Sequence, residues 1–153
     1  MPIRRLLEFP DQNRVNYEIK KHPPAFTAQA IASLAHIPGG EMVKTVMVKV
    51  EGKMAMAVLP AANMVDFEML RDTVGCDDVQ MARESEFRDM FPDCELGAMP
   101  PFGNLYGLGV YVAEKLTGHK MIAFNACSQT EVLIMQYADF ERLVKPKMIK
   151  FAL

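Results

Sequence analysis

The sequence predicts an α+β domain in which a curved, mixed β-sheet is surrounded by helices. The predicted element order is α, β, α, β, β, α, β, α, then three strands and a closing helix, so hairpins are mixed with crossover connections. A doubly wound parallel sheet or a β-sandwich does not give that order. The 153 residues are 50% hydrophobic and 24% charged, which is typical of a globular protein of one domain. We therefore expect a single domain over 1–153.

The N-terminal part predicts a helix, a strand and a second helix. Residues 3 to 9 form a short helix that Pro10 ends, and Val15–Ile19 alternates apolar and polar residues as a half-buried strand does. Thr27 is a candidate N-cap for the next helix, which Pro38-Gly39-Gly40 terminates.

A β-hairpin follows. Val43–Val50 is the clearest strand, Glu51-Gly52-Lys53 forms the turn, and the almost wholly apolar Met54–Leu59 returns as a buried partner strand. Strand periodicity places Val46, Val48 and Val50 on one face, which we expect to be the core face.

The second half of the chain alternates short helices and strands. In order, we predict a helix over Val65–Val74, a strand over Val79–Ala82, a helix over Glu84–Phe91, strands near Val110–Val112, Met121–Phe124 and Val132–Met135, and an amphipathic helix over Tyr137–Val144 that closes the domain.

Lys44 is the most informative single residue, because strand alternation gives it the same direction as the valines of its strand. A lysine on a core face is costly unless its ammonium group reaches an anion, a carbonyl or water in a cleft. The alternative is a lysine at a strand end that extends to solvent or protects a sheet edge.

The segment Gly97-Ala98-Met99-Pro100-Pro101-Phe102-Gly103 fits neither a helix nor a strand. Its two prolines fix φ and remove two donors, while the glycines permit positive φ. We expect a stiff loop with exposed amides and carbonyls, which either holds a ligand by its main chain or merely connects two elements.

Cysteines and histidines give weaker signals. The three cysteines are Cys76, Cys94 and Cys127, and the three histidines are His22, His36 and His119. No C-x-x-C motif occurs, so we expect reduced thiols, a cytoplasmic location and no metal site. Cys127 has no adjacent base and is predicted to be inert, and each histidine is predicted to be a satisfied surface or cap residue.

Charge and hydropathy limit the partners. The formal net charge of −2 argues against a dedicated nucleic-acid binder. Basic residues near the two termini either form a patch or belong to an ordinary solvated surface: Arg4, Arg5, Lys20, Lys21, Lys145, Lys147 and Lys150. No apolar run approaches 18 residues, and the N-terminus lacks a signal-peptide pattern, so we expect no membrane association.

Several of these segments together resemble the YbaK/ProRS-associated family of editing domains. They are Lys44-Thr45-Val46, Ala57-Val58-Leu59-Pro60-Ala61, the loop from Gly97 to Gly103, Asn125-Ala126 and the closing helix, and the resemblance runs from about His22 to Pro146. Members of that family hydrolyse wrongly charged aminoacyl-tRNAs, often as free-standing proteins, generally without a metal or a protein nucleophile.

The resemblance implies a free-standing deacylase of tRNA that carries a small amino acid. Gly97, Ala98, Met99 and Pro100 would hold the aminoacyl carbonyl and the terminal ribose, and Lys44 would contact the terminal phosphate or ribose. The implied substrate-binding residues are Thr45, Pro101, Phe102, Gly103, Asn125, Cys127 and Gln129. The implied partner is the tRNA acceptor end, reached directly or through a synthetase, with no DNA, no cofactor and a monomeric state.

Two departures from the family keep an alternative open. Cys127 and Gln129 stand where relatives often have glycine and histidine, and Ala113 stands where many have aspartate. Glutamine can form hydrogen bonds but cannot take a proton. The alternative is a non-catalytic domain of the same fold that recognises a small ligand, an RNA 3′ end or a synthetase. A third hypothesis, an unrelated structural domain, requires Lys44 to lie far from residues 97 to 103.

Overall fold

A computed structural model of the chain describes residues 4–38, 40–92, 94–95 and 97–153. The helices in this part are α1 Arg4–Gln12, α2 Ala28–Leu34, α3 Phe67–Val74, α4 Glu84–Phe87 and α5 Tyr137–Val144. The strands are β1 Tyr17–Lys21, β2 Val43–Val50, β3 Lys53–Pro60, β4 Val79–Met81, β5 Gly109–Ala113, β6 Met121–Asn125, β7 Glu131–Gln136 and β8 Lys147–Ile149. In the described part of the chain, no helix is long and apolar enough to cross a bilayer.

The predicted α+β class is confirmed, but the strands divide into two sheets. One has the order β4-β2-β3-β5-β8, with β2 and β3 antiparallel and both β3–β5 and β5–β8 parallel. The other is antiparallel, with the order β1-β7-β6. A bridge between Met42 and Ala123 links the two sheets, and the amide of Ala123 donates to the carbonyl of Glu41 at 2.8 Å. The start of β2 is thereby fixed beside β6.

The β2–β3 hairpin forms as predicted. Glu51 and Gly52 both have positive φ, 53° and 77°, which is the backbone of the tight hairpin turn that matches strand twist. Strand β3 is central in its sheet and buried from Ala55 to Pro60. Lys44 pairs with Leu59 in this register, so its place at the start of β2 is set by the turn at the opposite end.

Both faces of β2 are covered, so the prediction of a single core face on the valine side was wrong. Met47 lies in the cluster that contains Phe102, whereas Val48 lies in a second cluster with Leu70 and Phe151. Helix α3 and the C-terminal residues cover the valine face. Alternation alone could not reveal this, because it assigns residues to faces without saying what packs on each.

Several helix and strand boundaries differ from those predicted. Helix α1 runs through Pro10 to Gln12, because the amides of Asn13 and Val15 still donate to the carbonyls of Phe9 and Pro10, at 3.3 and 2.9 Å. Strand β1 begins two residues later than predicted. Helix α3 likewise starts later, since Asp66 is its N-cap. Helix α4 is a single turn that continues as a 3₁₀ turn.

The C-terminal residues complete the larger sheet. Helix α5 has the predicted bounds, and Lys145 ends it in the left-handed conformation. The chain then adds β8, parallel to β5, and buries Phe151 completely. The prediction that α5 closes the domain was therefore wrong, because a further strand and a buried aromatic residue follow it.

Candidate functional site

A pocket of about 160 Å³ lies where the start of β2 meets the end of β6 and the Gly97–Gly103 loop. Its lining comes from four separate parts of the sequence: Phe26, Ala28, Val43, Lys44, Thr45, Gly97, Met99, Phe124 and Asn125. Two features that the sequence singled out, the lysine of β2 and the glycine–proline loop, thus meet at one site. The hypothesis that required them to lie far apart is contradicted.

Lys44 supplies the positive charge of the pocket. Its side chain is half-buried, and no carboxylate among the described residues lies within ion-pair distance of its ammonium group. Burial lowers the pKa of this lysine from its ordinary value because desolvation disfavours the charged form. An ammonium group in this position gains by binding an anion or an oxygen-rich ligand.

Gly97 occupies a position that favours glycine for two reasons. Its φ of +84° lies in the left-handed region, and a Cβ added there would lie 3.3 Å from Nε2 of Gln129. The side-chain amide of Asn125 donates to the Gly97 carbonyl at 3.5 Å. The main chain of Gly97 is therefore held beside the pocket, and Gly97 remains exposed to solvent.

Asn125, which lines the pocket, also carries an acceptor without a partner among the described residues. Its Oδ1 atom is buried and has no hydrogen-bond partner among the described residues. Buried polar atoms are rarely left unpaired, so each such atom requires an explanation. A ligand that brings a hydrogen-bond donor into the pocket would satisfy it.

Three hydrogen bonds hold the Gly97 loop against the β6–β7 connection. The amide of Glu95 donates to the carbonyl of Cys127 at 2.9 Å, and the amide of Cys127 donates to the carbonyl of Ala98 at 3.0 Å. The carboxylate of Glu95 accepts from the amide of Gln129 at 2.7 Å. These three hydrogen bonds, together called the loop clamp below, join the loop to Cys127 and Gln129 of the β6–β7 connection.

A disulfide between Cys94 and Cys127 lies beside the loop clamp, with the two Cα atoms 4.3 Å apart. The expectation of three reduced thiols is wrong for this pair, and Cys76 is the free cysteine. Cys94 and Cys127 are 33 residues apart in the sequence. Their pairing could not be predicted from that spacing, because only the fold brings the two cysteines together. Cys127 is buried and does not line the pocket.

The rest of the glycine–proline loop is buried, so the prediction of exposed amides and carbonyls was wrong beyond Gly97. Phe102 is fully buried, with its ring centroid 5.3 Å from that of Phe124 and 6.1 Å from that of Phe140. A Cβ on Gly103 would lie 2.6 Å from Cγ2 of Val110. Of the predicted loop residues, Gly97 and Met99 line the pocket. The five others, Ala98, Pro100, Pro101, Phe102 and Gly103, lie buried outside the lining.

Sequence reasoning missed some of the residues around the pocket. Phe26 and Ala28 line it, and the one available signal was their place on either side of the N-cap Thr27. Gln129 is buried and contacts Gly97 without lining the pocket. His22 is buried, not on the surface as predicted, and its Nδ1 lies 2.8 Å from the carbonyl of Pro23.

A larger cavity, of about 520 Å³, lies at the opposite end of the hairpin around Glu51, Lys53 and Gly107. None of the residues that the sequence singled out as candidate site residues lines it. The smaller pocket combines a half-buried cation, an unpaired amide oxygen and a glycine main chain, which is the convergence expected of a binding site. Among the described residues, no group of three or more potential metal ligands occurs.

Comparison with known proteins agrees with the family resemblance seen in the sequence. The sequence model of the family described as aminoacyl-tRNA editing domain matches residues 22–143. The chain is 26% identical to the multifunctional Ser/Thr-tRNA deacylase ProXp-y of Escherichia coli, over 97% of this chain and 91% of that protein. It is 22% identical to the prolyl-tRNA editing protein ProX of Acetoanaerobium sticklandii, over 88% and 85%.

Solved structures share the fold. A candidate trans-editing enzyme for prolyl tRNA synthetase superposes with a TM-score of 0.83 at 18% identity, over 98% of this chain and 96% of that one. A hypothetical protein, APE2540, gives a TM-score of 0.86 at 16% identity, over 97% and 99%. At these identities the likeness concerns the fold alone.

The Cys94–Cys127 bond predicts a specific thiol count. In denaturant without a reductant, one thiol per chain should react with a thiol reagent, and three should react after reduction. Reduction should also lower the free energy of unfolding by about 3 to 5 kcal/mol, because a closed loop of this length restricts the unfolded chain. Cys76→Ser is the matched control, which should leave no reactive thiol before reduction. Three reactive thiols before reduction would show that the bond is absent.

Proposed function

The chain belongs to the aminoacyl-tRNA editing domain family, and we propose that it is a free-standing deacylase that hydrolyses the ester of a mischarged tRNA carrying a small amino acid. The observation that carries this proposal is the meeting of Lys44, Gly97 and Asn125 in one pocket. The substrate is the acceptor end of tRNA, and the catalytic unit is a single, monomeric domain over residues 1–153.

The pocket favours a short amino-acid side chain. Its volume is about 160 Å³, and the apolar side chains of Ala28, Val43, Met99 and Phe124 form part of a lining whose accessible surface is largely polar. A pocket of limited size excludes larger groups by steric clash, although it separates similar small groups weakly. Serine and threonine, for which one relative is named, are of suitable size.

The polar groups of the pocket match the parts of an aminoacyl ester. The unpaired Oδ1 of Asn125 accepts a hydrogen bond from the α-ammonium group or from a side-chain hydroxyl. The ammonium group of Lys44 contacts the terminal phosphate or the ribose. The main chain at Gly97 orients the ester carbonyl, and its position depends on the loop clamp.

The protein then promotes hydrolysis by positioning the ester and a water molecule. A water molecule attacks the ester carbonyl, the bond to the ribose oxygen breaks, and a proton from the water passes to that oxygen, so the products are free amino acid and intact tRNA. Cys127 is bonded to Cys94 and lies outside the pocket lining, so it does not act as a nucleophile. Orientation of the reactants and preorganised polar groups supply the rate enhancement.

A non-catalytic domain that binds the same RNA end is the second candidate. It is favoured by Gln129, which contacts Gly97 but cannot take a proton. The two candidates differ in turnover, because a binding domain would retain an aminoacyl-adenosine ester without cleaving it.

The net charge of −2 is compatible with either candidate function, since a protein with few phosphate contacts binds tRNA weakly and loses affinity as salt rises. Recruitment by a synthetase would compensate for that weakness.

A panel of mischarged tRNAs tests the activity. We expect the protein to deacylate seryl-, threonyl- or alanyl-esters in preference to larger aminoacyl groups. Lys44→Ala should lower kcat/KM by about 100-fold, the scale of losing one preorganised polar contact. Lys44→Arg, which keeps the charge, should retain part of the activity. If the folded protein leaves the whole panel intact while a known deacylase cleaves it, the proposed activity is wrong.

The backbone of Gly97 is tested by a matched pair of variants. Gly97→Ala and Gly75→Ala both place a side chain at a left-handed φ, +84° and +75°, and that backbone conformation should cost each variant about 1–2 kcal/mol of stability. Gly75 ends α3, and a Cβ there would meet nothing within 4 Å. We expect Gly97→Ala to lose most deacylase activity and Gly75→Ala to keep it, as measured by initial rates at equal folded fraction. Equal activity of the two variants would contradict a role for Gly97 in the site.

A further inference from the structure

Phe26 is unusual among the aromatic residues of this protein. All nine phenylalanines lie in the described part of the chain, and Phe26 alone is exposed, with 81% of its surface accessible. Burial of such a ring in the core is strongly favourable, as it is for Phe102, Phe124, Phe140 and Phe151. Phe26 instead remains in water at the edge of the pocket.

The backbone on both sides of Phe26 is fixed. On one side, the amides of His22 and Ala25 donate to the carbonyls of Thr130 and Gln129, at 2.9 and 3.4 Å. On the other side, Thr27 caps α2, and its hydroxyl oxygen accepts from the amide of Ala30 at 3.1 Å. The ring is therefore presented from an ordered segment, which reduces the entropy lost when a ligand binds to it.

The size of the pocket indicates what lies against this ring. A volume of about 160 Å³ is below the roughly 300 Å³ at which pockets begin to enclose drug-sized ligands. If the aminoacyl group occupies the pocket, as in the proposed function on which this inference rests, the attached nucleoside remains outside it. The rim is then the place where that nucleoside lies, and Phe26 is the aromatic surface at the rim.

We propose that Phe26 is a stacking platform for the 3′-terminal adenine of the tRNA. Single-stranded nucleotide ends are commonly held by stacking of unpaired bases on aromatic side chains. Because the terminal adenosine is common to all tRNAs, Phe26 contributes binding that does not depend on which amino acid is attached.

Fluorescence tests the stacking without requiring catalysis. The probe is an uncharged acceptor-stem RNA whose 3′-terminal adenine is replaced by 2-aminopurine, which is quenched when it stacks. We expect quenching by the wild-type protein and by Phe26→Tyr, and its loss in Phe26→Leu, which keeps an apolar side chain but removes the ring. Met64→Ala is the matched control, since Met64 is also exposed, at 71%, but does not line the pocket. Equal quenching by the wild type and Phe26→Leu would overturn the proposal.

Kinetics separate stacking from selection of the amino acid. Phe26→Leu should lower kcat/KM by roughly 5- to 150-fold, the range expected for loss of one base–aromatic stack, and by the same factor for every aminoacyl-tRNA cleaved. Phe26→Tyr should restore the rate. A loss that differs between amino acids would show that Phe26 contacts the aminoacyl side chain, and would overturn the proposal. Wild-type quenching without any deacylation would refute the proposed catalysis and leave the stacking supported.

Discussion

The Gly97 loop keeps its shape because the amide of Cys127 donates to the carbonyl of Ala98 and the carbonyl of Cys127 accepts from the amide of Glu95. This clamp ties the loop to the connection after β6, where Asn125 holds the Gly97 carbonyl. The bridge from Met42 to Ala123 then brings the start of β2, and with it Lys44, to the same place. The pocket consequently needs both sheets, and neither sheet alone contains its polar groups. The proposed catalysis by positioning depends on this arrangement.

Much of the fold could be predicted from periodicity and from the residues that end helices and strands. The bounds of β2 and α5 agree with prediction because alternation, a tight turn and a proline mark them clearly. The division into two sheets could not be predicted, because periodicity shows which residues share a face but not which strands pair. Strand β8 was missed since three residues, two of them exposed, give too little alternation to detect.

Several of the residues that the sequence singled out line one pocket, whereas others lie buried outside its lining. The family membership inferred from Lys44 and the Gly97–Gly103 loop is confirmed by the match over 22–143. The prolines and Phe102 are buried and support the loop from below the surface. A sequence motif does not show whether a residue has this structural role or contacts a ligand. Phe26 was overlooked because the exposure of a single aromatic residue leaves no periodic signal.

The most direct test is a crystal structure with a non-hydrolysable substrate analogue, 3′-deoxy-3′-(L-serylamino)adenosine, in which an amide replaces the ester. We predict that the seryl group occupies the 160 Å³ pocket, with its carbonyl beside Gly97 and its ammonium group hydrogen-bonded to Oδ1 of Asn125. Binding in the 520 Å³ cavity around Glu51 and Gly107, with the pocket at Lys44 empty, would contradict the assignment of the site.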